Sequence, residues 1–265
     1  MILTIDIGNT NIVLGEWDGD RLRFTSRVET DKSMTEDSYA VRLKNIFEMY
    51  DVKLAQVEGS IISSVVPQVT EAVAGALGRL TGKKPLIVGP GIKTGLNIRI
   101  DDPAKLGSDF VADAVGALAK FQKPIILFDL GTATKVSVID YEGDFLGGAI
   151  IPGLRISFDA LAQHASLLPN IAFEAPRDII GKNTAESMKV GATYATACMI
   201  DGMAERIEQR LAQMSPEKSV QKKATIVATG GLAKDIAPYC KSGVVYDGDL
   251  LLEGLIRIYN KNRTE

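Results

Sequence analysis

Two short segments carry the residue types best suited to holding an anion. Asp6-Ile7-Gly8-Asn9-Thr10 and Asp129-Leu130-Gly131-Thr132-Ala133 each set a carboxylate at the end of an apolar run, then a glycine, then hydrogen-bonding side chains. Glycine lets backbone N–H groups approach an anion closely, and Thr or Asn side chains add donors. Two such turns facing one another across an interdomain cleft can hold a triphosphate from both sides, their carboxylates binding a hydrated cation rather than the phosphate. That is the equipment of phosphoryl transfer. Asp and Gly are also ordinary turn formers, so their recurrence at equivalent places is what gives the pair meaning.

The recurrence extends beyond the turns. Trp17-Asp18-Gly19-Asp20 overlies Tyr141-Glu142-Gly143-Asp144 after a one-residue insertion, and the second copy starts 123 residues after the first, nearly half of the 265-residue chain. A period that long marks duplicated domains rather than a solenoid. Each copy opens as a three-stranded meander: Ile2 to Ile7, a strand through Ile12 to Leu14 and Leu22 to Val28 in the first, a restart from Pro124 in the second. Helices and further strands follow. Ser33 and Glu36 form a capping box for a helix with Tyr39, Leu43, Ile46, Phe47 and Tyr50 on one face, and Gly59 to Val66 is a strand stopped by Pro67, which opens the next helix. Pro85 to Val88 is a strand, and a helical segment runs from Asp102-Pro103 to Phe121 with Gly107 as an interruption. Thr225 to Ala228 and Gly243 to Tyr246 are strands of the second copy, and Leu250 to Tyr259 is a last helix. The expectation is α/β, with domains 1–120 and 121–265.

Two glycine-rich stretches fit a nucleotide, although the first also reads as a plain tight turn and the second as a close domain contact. Thr229-Gly230-Gly231 follows a strand, and Gly147-Gly148-Ala149-Ile150-Ile151-Pro152-Gly153 is longer. Composition removes other classes. A net charge of −3, with basic residues spread along the chain, makes nucleic acid an unexpected partner. Cys198, Cys240 and His164 are too few for a zinc site or a disulfide framework. The expected setting is reduced and cytoplasmic, since neither a signal peptide nor an apolar run long enough for a membrane helix is visible.

In the order Asp6-Ile7-Gly8-Asn9-Thr10-Asn11, Gly107-Ser108-Asp109, Asp129 to Thr134, Gly147 to Gly153, Gly181-Lys182-Asn183-Thr184 and Thr229-Gly230-Gly231, the chain resembles type III pantothenate kinases. The resemblance spans nearly the whole chain. It implies duplicated actin-like, ribonuclease H-like domains with a nucleotide cleft between them, and transfer of phosphate from ATP to pantothenate in coenzyme A biosynthesis. Residues 6 to 13 (Asp6, Ile7, Gly8, Asn9, Thr10, Asn11, Ile12, Val13) and Thr132 would bind ATP, with Asp6 touching Mg2+ through water. Asp109 would be the general base, Asp129 would hold K+ or NH4+, and Gly107, Ser108 and Thr184 would meet the substrate. A homodimer is implied too. Taken without the resemblance, Asp109 is simply a carboxylate on a helix that carries Asp113 one turn later.

Three positions depart from the family pattern. Phe110 stands where Arg usually follows the catalytic Asp, Ile100 where a substrate-contacting Tyr is usual, and Lys135 where a small hydroxyl residue is usual. The first two fall on the acceptor side, so a related small hydroxyl compound, or a divergent nucleotide-binding role, is the second reading. For Lys135 the plain expectation is a solvated strand side chain, and the alternative is an ammonium standing in for the monovalent cation.

Overall fold

β1 (Ile2–Ile7) and β6 (Ile125–Leu130) share one burial pattern, closed to solvent at every position except the fifth, where Asp6 and Asp129 stand. A central strand covered on both faces is mostly apolar; Asp129 is the one polar residue of β6, and in β1 Asp6 is joined only by the fully buried Thr4. The computed structural model describes residues 1–220 and 222–263.

Around β1 lie β2 (Asn11–Asp18), β3 (Arg21–Glu29), β4 (Gly59–Ser64) and β5 (Leu86–Ile87), in the order β3-β2-β1-β4-β5. Around β6 lie β7 (Ala133–Ile139), β8 (Phe145–Pro152), β9 (Thr225–Thr229) and β10 (Val245–Tyr246), in the order β8-β7-β6-β9-β10. In both sheets the first three strands pair antiparallel and the last two run parallel to the central strand. The two sheets therefore repeat one topology, as the spacing of the turns requires. Gly19 and Gly143 take φ of 59° and 96° in the corresponding β2–β3 and β7–β8 turns, a region that disfavours other residues.

The chain forms two compact units, one made of Met1–Leu96, Asp101–Gly116 and the segment from Leu250, the other of Asn97–Ile100 and Ala117–Asp249. In the first, α1 (Glu36–Met49) and α2 (Pro67–Thr81) bury Leu43, Phe47, Val73 and Leu77 against Ile5, Ile7 and Leu14. On the same sheet packs α8 (Leu250–Asn262), with the Leu252 side chain against Gly15 and the Tyr259 hydroxyl against Gly59. α8 thus sits with the first unit rather than within a domain 121–265. Its apolar stripe fits either sheet by pattern, and the two glycines open the room on this one. In the second unit, α4 (Leu154–His164), α5 (Thr184–Met214), α6 (Pro216–Ser219) and α7 (Ala233–Ile236) accompany the sheet, and Ala197, Ile200 and Ala204 of α5 pack with Phe128, Val136 and Ala228.

Two local expectations fail for the same kind of reason. Ser33 does not cap α1: its N–H and hydroxyl both donate to Asp31 Oδ1, at 2.8 and 2.6 Å, and Thr35 caps instead, accepting from Ser38 N–H. A short side chain that finds an earlier acceptor is lost to the helix. Tyr50 lies outside the core face as the C-cap and stacks on Phe24, ring centroids 4.1 Å apart. Between Asp102 and Phe121 the chain makes a 3-10 turn at Pro103–Lys105 and then α3 (Ser108–Lys120), the break falling just before Gly107 and the helix starting just after it.

Candidate active site

At the carboxyl end of the first sheet, Asp6 lies in register with Val13 on one side and Ser63 on the other. The turn that follows is closed by Gly8 N–H donating to the Asn11 carbonyl at 3.0 Å. Thr30, just beyond β3, clamps it: its hydroxyl donates to the Gly8 carbonyl at 2.7 Å and its N–H to the Thr10 carbonyl at 2.9 Å. Asn9 stays exposed, with Lys32 Nζ 3.5 Å from its Oδ1.

α3 is tied to the same sheet end through Ser108. Its buried hydroxyl accepts from Ser64 N–H at 2.9 Å, donates to the Ser64 carbonyl at 3.0 Å and lies 3.1 Å from Ser63 Oγ. Ser64 Oγ in turn accepts from Val66 N–H and from the Thr70 hydroxyl. These bonds hold Asp109 in the first turn of α3, one strand away from Asp6. Its Oδ1 accepts from Phe110 N–H at 2.8 Å, and a Cβ on Gly107 would lie 2.5 Å from that oxygen, which explains why glycine precedes the pair. Gly107, Ser108 and Asp109 are therefore one device: space, anchor and carboxylate.

Three glycine motifs converge at the equivalent end of the second sheet. Asp129 pairs in register with Lys135 on β7 and Thr229 on β9. Gly230, at φ 91°, lies so close that an added Cβ would strike Asp129 Oδ1 and come within 2.8 Å of the Leu130 backbone. Gly153 packs on the Gly131 and Thr132 carbonyls, and Gly148 on the Val136 carbonyl, so the stretch from Gly147 to Gly153 serves close packing within this unit. Thr132 is exposed. Lys135 is not a solvated strand residue: its Nζ lies 2.7 Å from Asp129 Oδ2, and only 13% and 14% of the two side chains is exposed.

Thr184 opens α5 and is exposed, after Asn183, whose side chain caps the helix by accepting from Glu186 N–H at 2.9 Å. Ile100 ends the short Asn97–Ile100 segment, which lies along β8 through Ile98 and Phe145. Beside it, hydrogen bonds from Asn97 and then from Arg99 hold the Asp144 carboxyl below its usual range. Phe110 follows Asp109 on α3 and is half-buried. Burial pushes the Cys240 thiol up to about 11, which disfavours its thiolate. Among the described residues there is no group of three or more His, Cys, Asp or Glu able to hold a metal, and no helix long and apolar enough to cross a membrane.

Sequence reasoning missed Thr30, Ser63 and Ser64. None lies in a local motif; the signal for Ser63 and Ser64 is their place at the end of a parallel strand beside β1. Both sheet ends thus present glycine turns, backbone donors and carboxylates suited to phosphate chemistry, and the comparison with known proteins decides among the families that use such turns. Residues 2–206 match a single family model, described as type III pantothenate kinase.

The chain belongs to the type III pantothenate kinase family.

Curated type III pantothenate kinases from Exiguobacterium and Geobacter sulfurreducens are 41% and 42% identical to it, in each case over 99% of this chain and 100% of theirs. Among solved structures, a protein from Campylobacter jejuni named as a Baf family transcriptional activator superposes with a TM-score of 0.58 at 17% identity, over 98% of both chains. A 2-dehydro-3-deoxygalactonokinase from Sinorhizobium meliloti gives 0.56 at 13% identity, over 100% of this chain and 98% of that one. At those identities the likeness is one of fold: α/β, here with two sheets of one repeated topology. Among the carboxylates expected at a type III pantothenate kinase site, the structure anchors Asp109 beside Ser108 and pairs Asp129 with Lys135.

Proposed function

We propose that this chain transfers the γ-phosphoryl group of ATP to the primary hydroxyl of pantothenate, giving 4'-phosphopantothenate and ADP in the first step of coenzyme A biosynthesis. The observation that carries the reading is Asp109, fixed through Ser108 to the end of β4 and one strand from Asp6, in a chain that matches pantothenate kinases along its length. A carboxylate held on a rigid helix start can accept the hydroxyl proton as the oxygen attacks the γ-phosphorus and the bond to ADP breaks. The reading assigns ATP binding to residues 6 to 13 and to Thr132, with Asp6 orienting the hydrated Mg2+ that arrives with ATP. It assigns the acceptor contacts to Gly107, Ser108, Phe110, Thr184 and Ile100. The same reading makes the protein a cytoplasmic homodimer.

The test is ATP-dependent ADP release with pantothenate and a panel of other small hydroxyl compounds. Wild-type protein should turn over pantothenate, and Asp109→Asn, which still accepts the Phe110 hydrogen bond but cannot take a proton, should lose roughly 10²–10⁴ in rate. Turnover of another acceptor alone would replace the substrate. ADP binding without any turnover would make the chain a nucleotide-binding regulator instead.

A further inference from the structure

The two halves of the duplication differ at one register position beside their aspartates. Opposite Asp6 stands Val13; opposite Asp129 stands Lys135. The lysine ammonium lies 2.7 Å from Asp129 Oδ2, and both side chains are nearly closed to solvent. The other oxygen of that carboxylate faces Gly230. Potassium or ammonium bound at Asp129 would need the carboxylate that the lysine already engages, and would sit against a like charge at a place where water screens little. The residues present therefore do not fit a monovalent cation at Asp129.

We propose that Lys135 supplies the positive charge of the second phosphate turn, so that nucleotide binding by this chain is independent of potassium or ammonium. The inference rests on the nucleotide reading above. A strand position holds the ammonium in register with Asp129, and the carboxylate fixes its direction, so the charge is in place before any nucleotide arrives. An ion drawn from solution would have to be bound each time; a tethered ammonium has already lost that freedom.

The experiment titrates ADP by calorimetry at constant ionic strength, with potassium exchanged for choline, on wild type, Lys135→Thr and Lys135→Arg. In wild type the ADP dissociation constant should change by less than about twofold between no potassium and saturating potassium. Lys135→Thr, which leaves Asp129 a hydroxyl neighbour in place of the ammonium, should bind about tenfold more weakly in choline and recover with potassium. Lys135→Arg keeps the charge and should stay insensitive. Wild-type affinity that rises about tenfold or more with potassium overturns the proposal while leaving the nucleotide reading intact. Absence of ADP binding in every buffer overturns both. Should Lys135→Thr fail to fold, the wild-type titration alone still decides.

Discussion

Gly107→Ala tests Asp109 without altering its charge. An added Cβ would lie 2.5 Å from Asp109 Oδ1, whereas ordinary contact begins near 3.4 Å, so the carboxylate must retreat by about 0.9 Å. The Gly107 backbone is under no left-handed constraint, and the displaced atom is the end of a side chain, so the fold should survive. The retreat breaks the 2.8 Å bond from Phe110 N–H, a charge-assisted bond worth roughly 1.5–3 kcal/mol. Replacing glycine returns about 0.4–1 kcal/mol by restricting the unfolded chain. The net loss is about 0.5–2.6 kcal/mol, a fall in Tm of roughly 1–10 °C for a chain of this size. Catalysis should suffer more, because a reacting group displaced by ~1 Å loses roughly 10²-fold in rate. Steady-state turnover with ATP and acceptor, alongside ADP affinity and thermal unfolding, separates the two effects. A folded Gly107→Ala with wild-type kcat would refute the placement of Asp109 at the reacting atoms.

Asp6→Ala should weaken MgATP binding by roughly 10–100-fold, the worth of a charged contact through the hydrated cation, while metal-free ADP changes little. Calorimetry with and without magnesium reads the difference, and equal losses in both would mean that Asp6 acts on the fold alone. Gly230→Ala should cost roughly 2–5 kcal/mol, combining a left-handed backbone, at about 1–2, with overpacking on the Leu130 backbone, at about 1–3. Thermal denaturation within about 2 °C of wild type would contradict the close approach, since each kcal/mol moves Tm by roughly 2–4 °C.

The duplicated topology was legible because β1 and β6 are buried on both faces, which favours largely apolar runs and makes their terminal aspartates conspicuous. The start of α1 was not, because Asp31, Ser33 and Thr35 all offer short polar side chains and only the folded turn decides which one captures which donor. Asp109 entered the site by resemblance. What fixes it physically is Ser108 bonding to Ser63 and Ser64, residues 45 and 44 positions away, and no local pattern announces that contact. The burial of Lys135 was equally hidden. A lysine on a strand is ordinarily solvated, and only the β6–β7 register places it on Asp129. The attachment of α8 depended on Gly15 and Gly59, which read in sequence as weak points in strands rather than as seats for a helix.

That attachment sets an order for synthesis. The second unit is drawn almost wholly from one stretch, Ala117–Asp249, with only Asn97–Ile100 added and already made. The first unit cannot cover its sheet until α8, which follows the whole of the second unit in the chain, has been made. Nascent chains usually complete their amino-terminal domain first. Here the amino-terminal sheet waits with one face open while the later unit closes, so a ribosome stalled before residue 250 would display a finished second unit and an unfinished first, the state in which this chain most needs a chaperone.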